Sequence, residues 1–300
     1  MKIAVLGAGA MGSIYGGHLS ADNDVYMIDK KAELVDKINA DGLKLFENNT
    51  DVIYHPAALL SSEGIGEVDL VIIFVKALYS RAALMENKGI IGDNTYVMTL
   101  QNGAGHEDII LEFVPKERII IGTTEDNGAI LGDGYVRRGG KGKTNIGMLV
   151  EDSQHMLDKV KVCLDSCGFD THIYDNIQQL IWDKLFTNVS LSALTGVLQV
   201  PIGFIAEDEY AWNMTVTLIK EAMQVAKAMG LEFDEDEMIE RVRNTSINSP
   251  EGRTSIYADL KAGRLTEVNT ISGAVVKAGD RLGIPVPSHK MIVNMVHAME

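Results

Sequence analysis

The chain has few cysteines, few prolines and no long apolar run. Its 300 residues include 2 cysteines and 6 prolines, and 46% of the residues are hydrophobic. A disulfide scaffold needs more cysteines than this, so a reducing compartment is favoured. No apolar run approaches the roughly 20 residues that a bilayer-spanning helix requires. We therefore expect a globular, cytoplasmic protein, and the composition excludes collagen-like and low-complexity architectures.

Positive charge is also scarce. Lysine and arginine number 27 against 42 acidic residues, which gives a formal net charge of -15. A nucleic-acid-binding surface must be basic to displace counterions, and a polybasic membrane anchor has the same requirement. We expect neither nucleic acid nor a membrane as a partner. Because a zinc site needs more ligands than Cys163 and Cys167 supply, we also expect two partly buried thiols and no metal site.

The first half of the sequence alternates short apolar strands with helices. Residues 70–75 form an uninterrupted apolar run, which is typical of a strand covered by helices on both faces. Further strands are predicted at Lys2–Leu6, Asp24–Ile28, Tyr96–Leu100, Ile119–Gly122 and Thr171–Tyr174, and helices at Met11–Leu19 and Lys31–Ala40. This order predicts a parallel α/β domain. Glycines clustered between residues 132 and 142 predict hairpins that extend the sheet in antiparallel fashion.

The second half has long helical patterns and almost no strand signal. Helices are predicted at Gln179–Leu198, Glu209–Met229, Glu235–Asn244, Leu265–Leu282 and Ser288–Met299. We therefore place one domain over residues 1–175 and a second, helical domain over residues 176–300. No linker rich in proline or serine separates them, so we expect tight packing, with the functional site in a cleft between the halves.

A glycine motif connects the first strand to the first helix. Gly7, Gly9 and Gly12 form Gly-x-Gly-x-x-Gly directly after the strand over residues 2–6. In a dinucleotide-binding turn the first glycine allows the turn, the second lets the backbone approach a pyrophosphate, and the third permits close helix packing. The pyrophosphate then lies at the helix N-terminus. The motif predicts an N-terminal Rossmann-type domain plus an all-helical C-terminal domain, with cofactor contacts from Gly7, Ala8, Gly9, Ala10, Met11 and Gly12.

The end of the second strand bears on the choice of cofactor. Asp29 stands there, and Lys30 and Lys31 follow at once. A carboxylate at this point hydrogen-bonds the adenosine ribose and repels the 2′-phosphate of NADP, which favours NAD. The lysines could instead neutralise that phosphate, or they could simply begin the next helix. Asp29 and Lys30 are cofactor-binding candidates, and the sequence leaves NAD and NADP open.

Two polar side chains follow neighbouring strands of the predicted sheet. Lys76 comes directly after the apolar run, and Asn102 follows the next strand. Ligand sites in open α/β sheets lie beyond the carboxyl ends of the strands. Lys76 could reach such a site or remain at the surface. Asn102 could offer a donor and an acceptor to a ligand, or serve only as the turn former of an Asn-Gly pair.

The first long helix of the second half carries polar residues at helical spacing. Lys184, Asn188 and Ser192 are four residues apart and therefore share one face. Facing a cleft, the lysine could donate a proton and the asparagine could orient an oxygen. A solvated polar stripe is the alternative.

Ser255 and Glu267 frame a later segment. Thr266 would cap a helix there and place Glu267 in its first turn, where the helix dipole favours a carboxylate. Spacing alone gives Glu267 no role beyond this one.

Taken together, these residues resemble the ketopantoate reductase (2-dehydropantoate 2-reductase) family. The resemblance covers nearly the whole chain and rests on Gly7-x-Gly9-x-x-Gly12, Val75-Lys76, Leu100-Gln101-Asn102-Gly103, Trp182-Asp183-Lys184-Leu185 with Asn188, Ser255 with Asp259-Leu260 and Leu265-Thr266-Glu267, and Gly283-Ile284-Pro285-Val286-Pro287. It implies reduction of ketopantoate to pantoate by NADPH, in the pathway to pantothenate and coenzyme A. The implied partner is a small anionic 2-oxo acid.

The resemblance also implies roles for single residues. Lys184 would be the general acid that protonates the developing alkoxide, and Glu267 would hold the substrate hydroxyl. Lys76 would lie near the nicotinamide, and Asn102 would contact both cofactor and substrate. The remaining substrate contacts would come from Asn188, Ser192 and Ser255.

Three positions depart from the family pattern. Family members often have asparagine where this chain has Ser192 and Ser272, and a basic residue where it has Asp29. The first two changes allow a different 2-oxo acid, and the third leaves NAD open.

Three functions remain: a ketopantoate reductase, a related dehydrogenase for another 2-oxo or hydroxy acid, and a nucleotide sensor without catalysis. The β-hydroxyacid dehydrogenases share the Lys-x-x-x-Asn pattern but not the segment around Glu267. A sensor would need none of the candidate catalytic residues. The helical half could also provide a homodimer surface.

Overall fold

The computed structural model describes residues 1–300, which divide into two compact units. The first unit comprises Met1–Gln101 and His106–Ile177, and the second comprises Asn102–Gly105 and Gln178–Glu300. None of the helices combines the length and the hydropathy that crossing a bilayer requires.

The first unit consists of short strands that alternate with short helices. In chain order they are β1 (Lys2–Leu6), α1 (Ala10–Leu19), β2 (Asp24–Ile28), α2 (Ala32–Asp41), β3 (Leu43–Glu47), β4 (Thr50–Tyr54), β5 (Ala57–Leu59), β6 (Leu70–Ile73), α3 (Ser80–Glu86), β7 (Tyr96–Thr99), α4 (Glu107–Ile110), β8 (Ile119–Thr124), β9 (Asn127–Gly132), β10 (Tyr135–Gly140), β11 (Lys143–Met148), α5 (Met156–Ser166) and β12 (Asp170–Ile173).

An eight-stranded sheet forms the centre of this unit, in the order β12-β11-β8-β7-β6-β1-β2-β5. Neighbouring strands are parallel except for β11, which is antiparallel to β8. Every residue of β6, β7 and β8 is buried, as expected of strands that have helices on both faces. The predicted α/β fold is therefore confirmed.

The glycine-rich hairpin is placed differently from the prediction. Strands β9 and β10 do not extend the main sheet but belong to a second, four-stranded sheet in the order β4-β3-β10-β9. The antiparallel extension of the main sheet is made by β11 instead. The hairpin β3–β4 turns through Asn48 and Asn49, whose φ angles of 49° and 61° suit a tight turn between twisted strands.

Helix α1 contacts strands of both sheets and is buried from Gly12 to Leu19. Buried polar side chains join it to the second sheet. His18 Nε2 lies 3.0 Å from Glu47 Oε2 and 3.3 Å from Arg138 Nη1. The helix that follows the glycine motif is therefore held on several sides.

The second unit is helical, as predicted. Its helices are α6 (Ile177–Leu198), α7 (Phe204–Glu207), α8 (Glu209–Ala228), α9 (Glu235–Asn248), α10 (Ser255–Lys261), α11 (Ser272–Leu282) and α12 (Pro287–Met299). Helix α8 contacts α7, α9, α11 and α12. The carboxylate of Glu221 on α8 accepts hydrogen bonds from the backbone of Ser288 and His289, which caps α12.

The single helix predicted over residues 265–282 is wrong. A one-turn 3-10 helix spans Val268–Thr270, and α11 begins only at Ser272. Ile271 between them has φ and ψ of -99°, outside the helical region. Thr266 Oγ1 accepts from the Val268 amide at 3.2 Å and so caps no α-helix. Glu267 therefore does not lie in the first turn of an α-helix.

Candidate functional site

The glycine turn of the first unit leaves no room for side chains at two of its three glycines. Gly7 has a φ of +99°, and a Cβ there would lie 2.8 Å from the Val75 amide nitrogen. A Cβ on Gly12 would lie 1.9 Å from the Gly7 carbonyl oxygen. A Cβ on Gly9 would meet no atom within 4 Å. The turn is thus packed at its two ends and open at Gly9.

A cavity of about 500 Å³ lies beside this turn, within the first unit. Among its lining residues are five of the predicted cofactor contacts: Gly7, Gly9, Asp29, Lys30 and Lys76. Ala8, Ala10, Met11 and Gly12 continue the turn into α1, whose N-terminus has no side-chain cap. The first amides of a helix have no partner inside the helix and favour an anion. Cavity and turn therefore fit an elongated ligand that carries a phosphate.

Asp29 is held in a fixed orientation at the end of β2. Its Oδ2 accepts from the Ala8 amide at 2.8 Å, and its Oδ1 accepts from the Lys31 amide at 3.0 Å. A carboxylate has about four acceptor positions, so both oxygens retain capacity for a ligand. The carboxylate thus braces the glycine turn and faces the cavity at the same time.

The segment after β6 forms a second wall of the cavity. The strand ends at Ile73, and Lys76 begins a 3-10 turn over Ala77–Tyr79. Gln101, at the end of β7, holds this turn: its Nε2 donates to Val75 O at 2.6 Å and to Ser80 Oγ at 2.9 Å. The half-buried Lys76 therefore projects from a turn whose backbone is fixed by hydrogen bonds.

In the second unit, one face of α6 carries half-buried polar residues. Lys184 and Asn188, one turn apart, are half-buried, and Ser192 is 5% exposed one turn later. Their neighbours Leu185 and Val189 are fully buried, which fixes the rotation of the helix. The predicted common face of the three polar residues is therefore present.

An ion pair fixes α6 beside Lys184. Both oxygens of the preceding Asp183 accept from Arg241 of α9 at 2.8 Å, and Arg241 also donates to the Asp183 carbonyl at 2.7 Å. Because Nη1 of Arg241 contacts both carboxylate oxygens and Nη2 contacts the backbone, this one side chain fixes the position of Asp183 as well as balancing its charge. Asp183 therefore has a structural partner, and Lys184 lies on a helix that Arg241 anchors.

Ser255 begins α10 and is exposed. The preceding Thr254 links it to α6, because Thr254 Oγ1 lies 2.9 Å from Thr195 Oγ1 and 3.3 Å from the Ser192 carbonyl oxygen. The structure thus brings the chain around Ser255 next to the Ser192 turn of α6. Two residues after Ser255, Tyr257 accepts hydrogen bonds from Arg253 and Lys261.

Glu267 and Asn102 belong to two segments that pack on each other. The half-buried Glu267 accepts through its carbonyl from the Thr270 amide at 3.1 Å. Thr270 in turn accepts from the Ala104 amide at 2.9 Å. Gly103, with a φ of +99°, allows this approach, since a Cβ there would lie 2.2 Å from Thr270 O. The exposed Asn102 is therefore displayed by a loop that rests on the Glu267 turn.

The C-terminal residue supports the same turn. Glu300 Oε1 accepts from the amide and the hydroxyl of Thr266 at 2.8 and 2.6 Å, and its Oε2 lies 2.7 Å from His297 Nδ1. Burial alone would raise the pKa of the Glu300 carboxyl, but these hydrogen bonds hold it below its usual range. An ionised Glu300 thus anchors the residue next to Glu267.

Several residues shape these surfaces although the sequence around them carries little or no signal of that role. Gln101, Arg241 and Thr254 act through partners that are remote in sequence, and Tyr79 and Glu86 reach the cavity wall from the segment after β6. The position of Gln101 between a buried strand and Asn102 is the one local hint among them.

Both parts of the chain match models of one protein family. The model described as "Ketopantoate reductase PanE/ApbA" matches residues 3–151, and the model described as "Ketopantoate reductase PanE/ApbA C terminal" matches residues 176–300.

Individual relatives agree with this match. A 2-dehydropantoate 2-reductase from Streptococcus pyogenes serotype M1 is 32% identical over 302 residues, which covers 100% of this chain and 98% of the relative. A protein of the same name from Lactococcus lactis subsp. lactis (strain IL1403) is 32% identical over 306 residues with the same coverage. The ternary structure of D-mandelate dehydrogenase with NADH and anilino(oxo)acetate is 34% identical, with a TM-score of 0.89 and coverage of 100% of this chain and 98% of that one.

Proposed function

Because the chain belongs to the ketopantoate reductase (PanE/ApbA) family and is an NAD(P)-dependent oxidoreductase, we propose that it reduces ketopantoate to pantoate. The observation that supports this most directly is the polar face of α6, where Lys184, Asn188 and Ser192 lie on consecutive turns of a helix fixed by buried neighbours. Such a face offers an ammonium donor and an amide to one small polar substrate.

The first unit fits a nicotinamide dinucleotide. The open space at Gly9, the uncapped N-terminus of α1 and the carboxylate of Asp29 all border one cavity. In the proposed complex, the amides that begin α1 hold the pyrophosphate, Asp29 accepts from the ribose hydroxyls, and Lys76 lies toward the nicotinamide. When bound, the reduced nicotinamide supplies the hydride for the carbonyl carbon.

The residues of the second unit then complete the reduction. As negative charge grows on the carbonyl oxygen, Lys184 stabilises it and transfers a proton to it, so that ketone, hydride and proton give the alcohol. Asn188 and Ser255 orient the hydroxyl and carboxylate ends of the substrate. Glu267 accepts from the substrate hydroxyl, and Asn102 adds an amide from the loop that rests on the Glu267 turn.

We further propose that NAD is preferred over NADP. Asp29 is fixed by two backbone amides and borders the cavity, so a 2′-phosphate would be placed against a carboxylate. A like-charge contact of this kind rejects the phosphorylated cofactor, whereas a ribose hydroxyl can donate to the same oxygen.

A second candidate substrate is another 2-oxo acid, with an aromatic or branched group in place of the hydroxymethyl end. Ser192 favours it, because serine is shorter than the asparagine often found there in the family. D-mandelate dehydrogenase, which is 34% identical, binds anilino(oxo)acetate in its ternary structure.

Steady-state reduction of ketopantoate and of phenylglyoxylate, at one fixed concentration of reduced cofactor, separates the two substrates. We expect the higher kcat/KM with ketopantoate. A clearly higher kcat/KM for phenylglyoxylate would favour the second candidate substrate. Absence of turnover with either compound would rule out both candidates. A homodimer, as predicted from the helical half, belongs to the same proposal and is tested by the mass of the protein in solution.

A further inference from the structure

An ion pair borders the cavity of the first unit beside Asp29. Lys30 Nζ lies 2.8 Å from Glu86 Oε1, and both residues line the cavity together with Asp29. The two side chains are 74% and 49% exposed, so the pair contributes little to the stability of the fold. Its place at the cavity nevertheless determines which charges a ligand meets there.

We propose that Glu86 is a specificity-determining residue for the cofactor. By holding Lys30, it keeps this end of the cavity selective for an adenosine ribose with a free 2′-hydroxyl over one with a 2′-phosphate. The inference rests on the proposed nicotinamide site and extends it to a residue outside the glycine turn and β2.

The charges explain the selectivity. A phosphate group carries between one and two negative charges at neutral pH, and here it would meet the carboxylates of Asp29 and Glu86. Glu86 is the last residue of α3, where the helix dipole adds further negative potential. To bind the phosphate, Lys30 would have to leave Glu86 or share its ammonium between the two anions, and in either case the Glu86 carboxylate would repel the phosphate. The pair therefore keeps Lys30, the lysine next to Asp29 that lines the cavity, from favouring NADP, while Lys31 is paired with Asp133 at 2.6 Å.

Glu86 is held at this position by its neighbour. Asn87 is buried, its Nδ2 donates to Ala83 O at 2.8 Å, and its Oδ1 accepts from the Ser62 amide at 3.1 Å. These bonds tie the end of α3 to the segment that contributes Ser61 to the cavity wall. A carboxylate on a fixed backbone position can discriminate between ligands in a way that a mobile surface side chain cannot.

The test is the affinity of the full-length protein for NADH and for NADPH, each measured by nicotinamide fluorescence. In Glu86→Gln, Lys30 is released and one negative charge is removed. We expect the ratio of Kd for NADPH to Kd for NADH to fall by about tenfold. This fall in the Kd ratio should become smaller as salt is added, because exposed charges are screened. The melting temperature of the variant should stay within about two degrees of that of the parent.

Two further variants make the result specific. Glu112→Gln removes another exposed acid from an ion pair, with Arg81 at 2.6 Å, and lies outside the cavity; its Kd ratio should equal that of the parent. Adding Lys30→Met to Glu86→Gln should restore most of the Kd ratio of the parent, because the lysine that binds the 2′-phosphate is then absent.

An unchanged Kd ratio in Glu86→Gln, an equal fall of the ratio in Glu112→Gln, or a fall that persists without Lys30 would each overturn this inference alone. Tighter binding of NADPH than NADH by the parent would overturn this inference and the proposed preference for NAD together. Binding of neither cofactor by the parent protein would overturn the proposed function and the inference with it.

Discussion

Lys184 carries the proton-transfer step of the proposed reaction. Replacing it with alanine removes both the proton donor and the positive charge opposite the developing alkoxide, so kcat for ketopantoate should fall by at least about 100-fold. Binding of NADH should change little, because the predicted cofactor contacts other than Asn102 lie in the other unit. Steady-state kinetics combined with a cofactor titration measures both quantities.

The matched control for Lys184 is Lys227→Ala in the last turn of α8, where the lysine is exposed. Its kcat should equal that of the parent enzyme. If Lys184→Ala retained activity within a few-fold of the parent, another group would have to donate the proton.

Glu267 is expected to recognise the hydroxyl group of the substrate. Glu267→Gln keeps the shape of the side chain but loses its charge, and a hydrogen bond to a charged group contributes about 1.5–3 kcal/mol. The kcat/KM for ketopantoate should therefore fall by about tenfold or more. The deoxy analogue of ketopantoate, which lacks only that hydroxyl, should be reduced equally well by both enzymes. Equal losses for both substrates would instead assign Glu267 a structural role.

At the residue scale, the sequence predicts side chains whose role follows from local chemistry. The position of the glycine motif was enough to predict the roles of Gly7 and Gly12, and the end of a predicted strand was enough to single out Asp29. The hydrogen bonds of Gln101 to Val75 and of Arg241 to Asp183 join residues that are distant in sequence. Such contacts depend on the tertiary fold and leave no local pattern to read.

At the scale of elements, two glycines of the same turn are expected to have different roles, Gly12 in the stability of the fold and Gly9 in cofactor binding. Gly12→Ala would place a Cβ 1.9 Å from Gly7 O, and such overpacking costs about 1–3 kcal/mol. The melting temperature should therefore fall by several degrees. Gly9→Ala meets no atom within 4 Å, so it should leave stability unchanged while weakening NADH binding by at least about tenfold. Thermal denaturation and a fluorescence titration of both variants give the comparison.

The opposite pattern, with Gly9→Ala unstable or with NADH binding unaffected, would contradict the assignment of the turn to the pyrophosphate.

Elements with a strong apolar pattern were predicted well, and those without one were not. Strands β1 and β2 have the predicted ends, because each is a short apolar or alternating segment that is followed at once by a turn-forming or polar residue, Gly7 and Asp29. Strands β3, β4 and β5 were missed, since β3 and β4 are short strands joined by a turn at Asn48 and Asn49, and exposed residues interrupt the apolar pattern of β4 and β5. The break at Ile271 was also invisible, because residues 265–282 keep a helical spacing across it.

At the scale of the whole molecule, buried histidines make stability depend on pH. His289 is fully buried, its Nε2 donates to Leu218 O at 2.9 Å, and its Nδ1 has no partner. Burial lowers the pKa of His289 below its ordinary value of 6.5, and burial lowers the pKa of His18 in the same way. Both are therefore neutral in the folded protein near neutral pH.

The sign of the pH effect follows from proton binding. Below about pH 6.5 the unfolded chain binds protons that the folded chain excludes, so stability is fully present above that pH and is lost as the pH falls. Urea unfolding from about pH 8 to about pH 5 should show this decline. His289→Gln retains a donor for Leu218 O and should make the free energy of unfolding depend less on pH. His55→Gln, at an exposed position, should leave that dependence unchanged. An equal slope in parent and His289→Gln would remove His289 from this account.

The central claim is that this acidic chain, with a net charge of -15, binds an anionic nicotinamide cofactor and uses it to reduce a 2-oxo acid. The most direct measurement is the steady-state rate of ketopantoate reduction with NADH and, separately, with NADPH. We predict turnover that yields pantoate, with a higher kcat/KM for NADH because in the proposed complex Asp29 accepts from the ribose hydroxyls. Absence of turnover with both cofactors would contradict the function, and a higher kcat/KM for NADPH would contradict the role of Asp29.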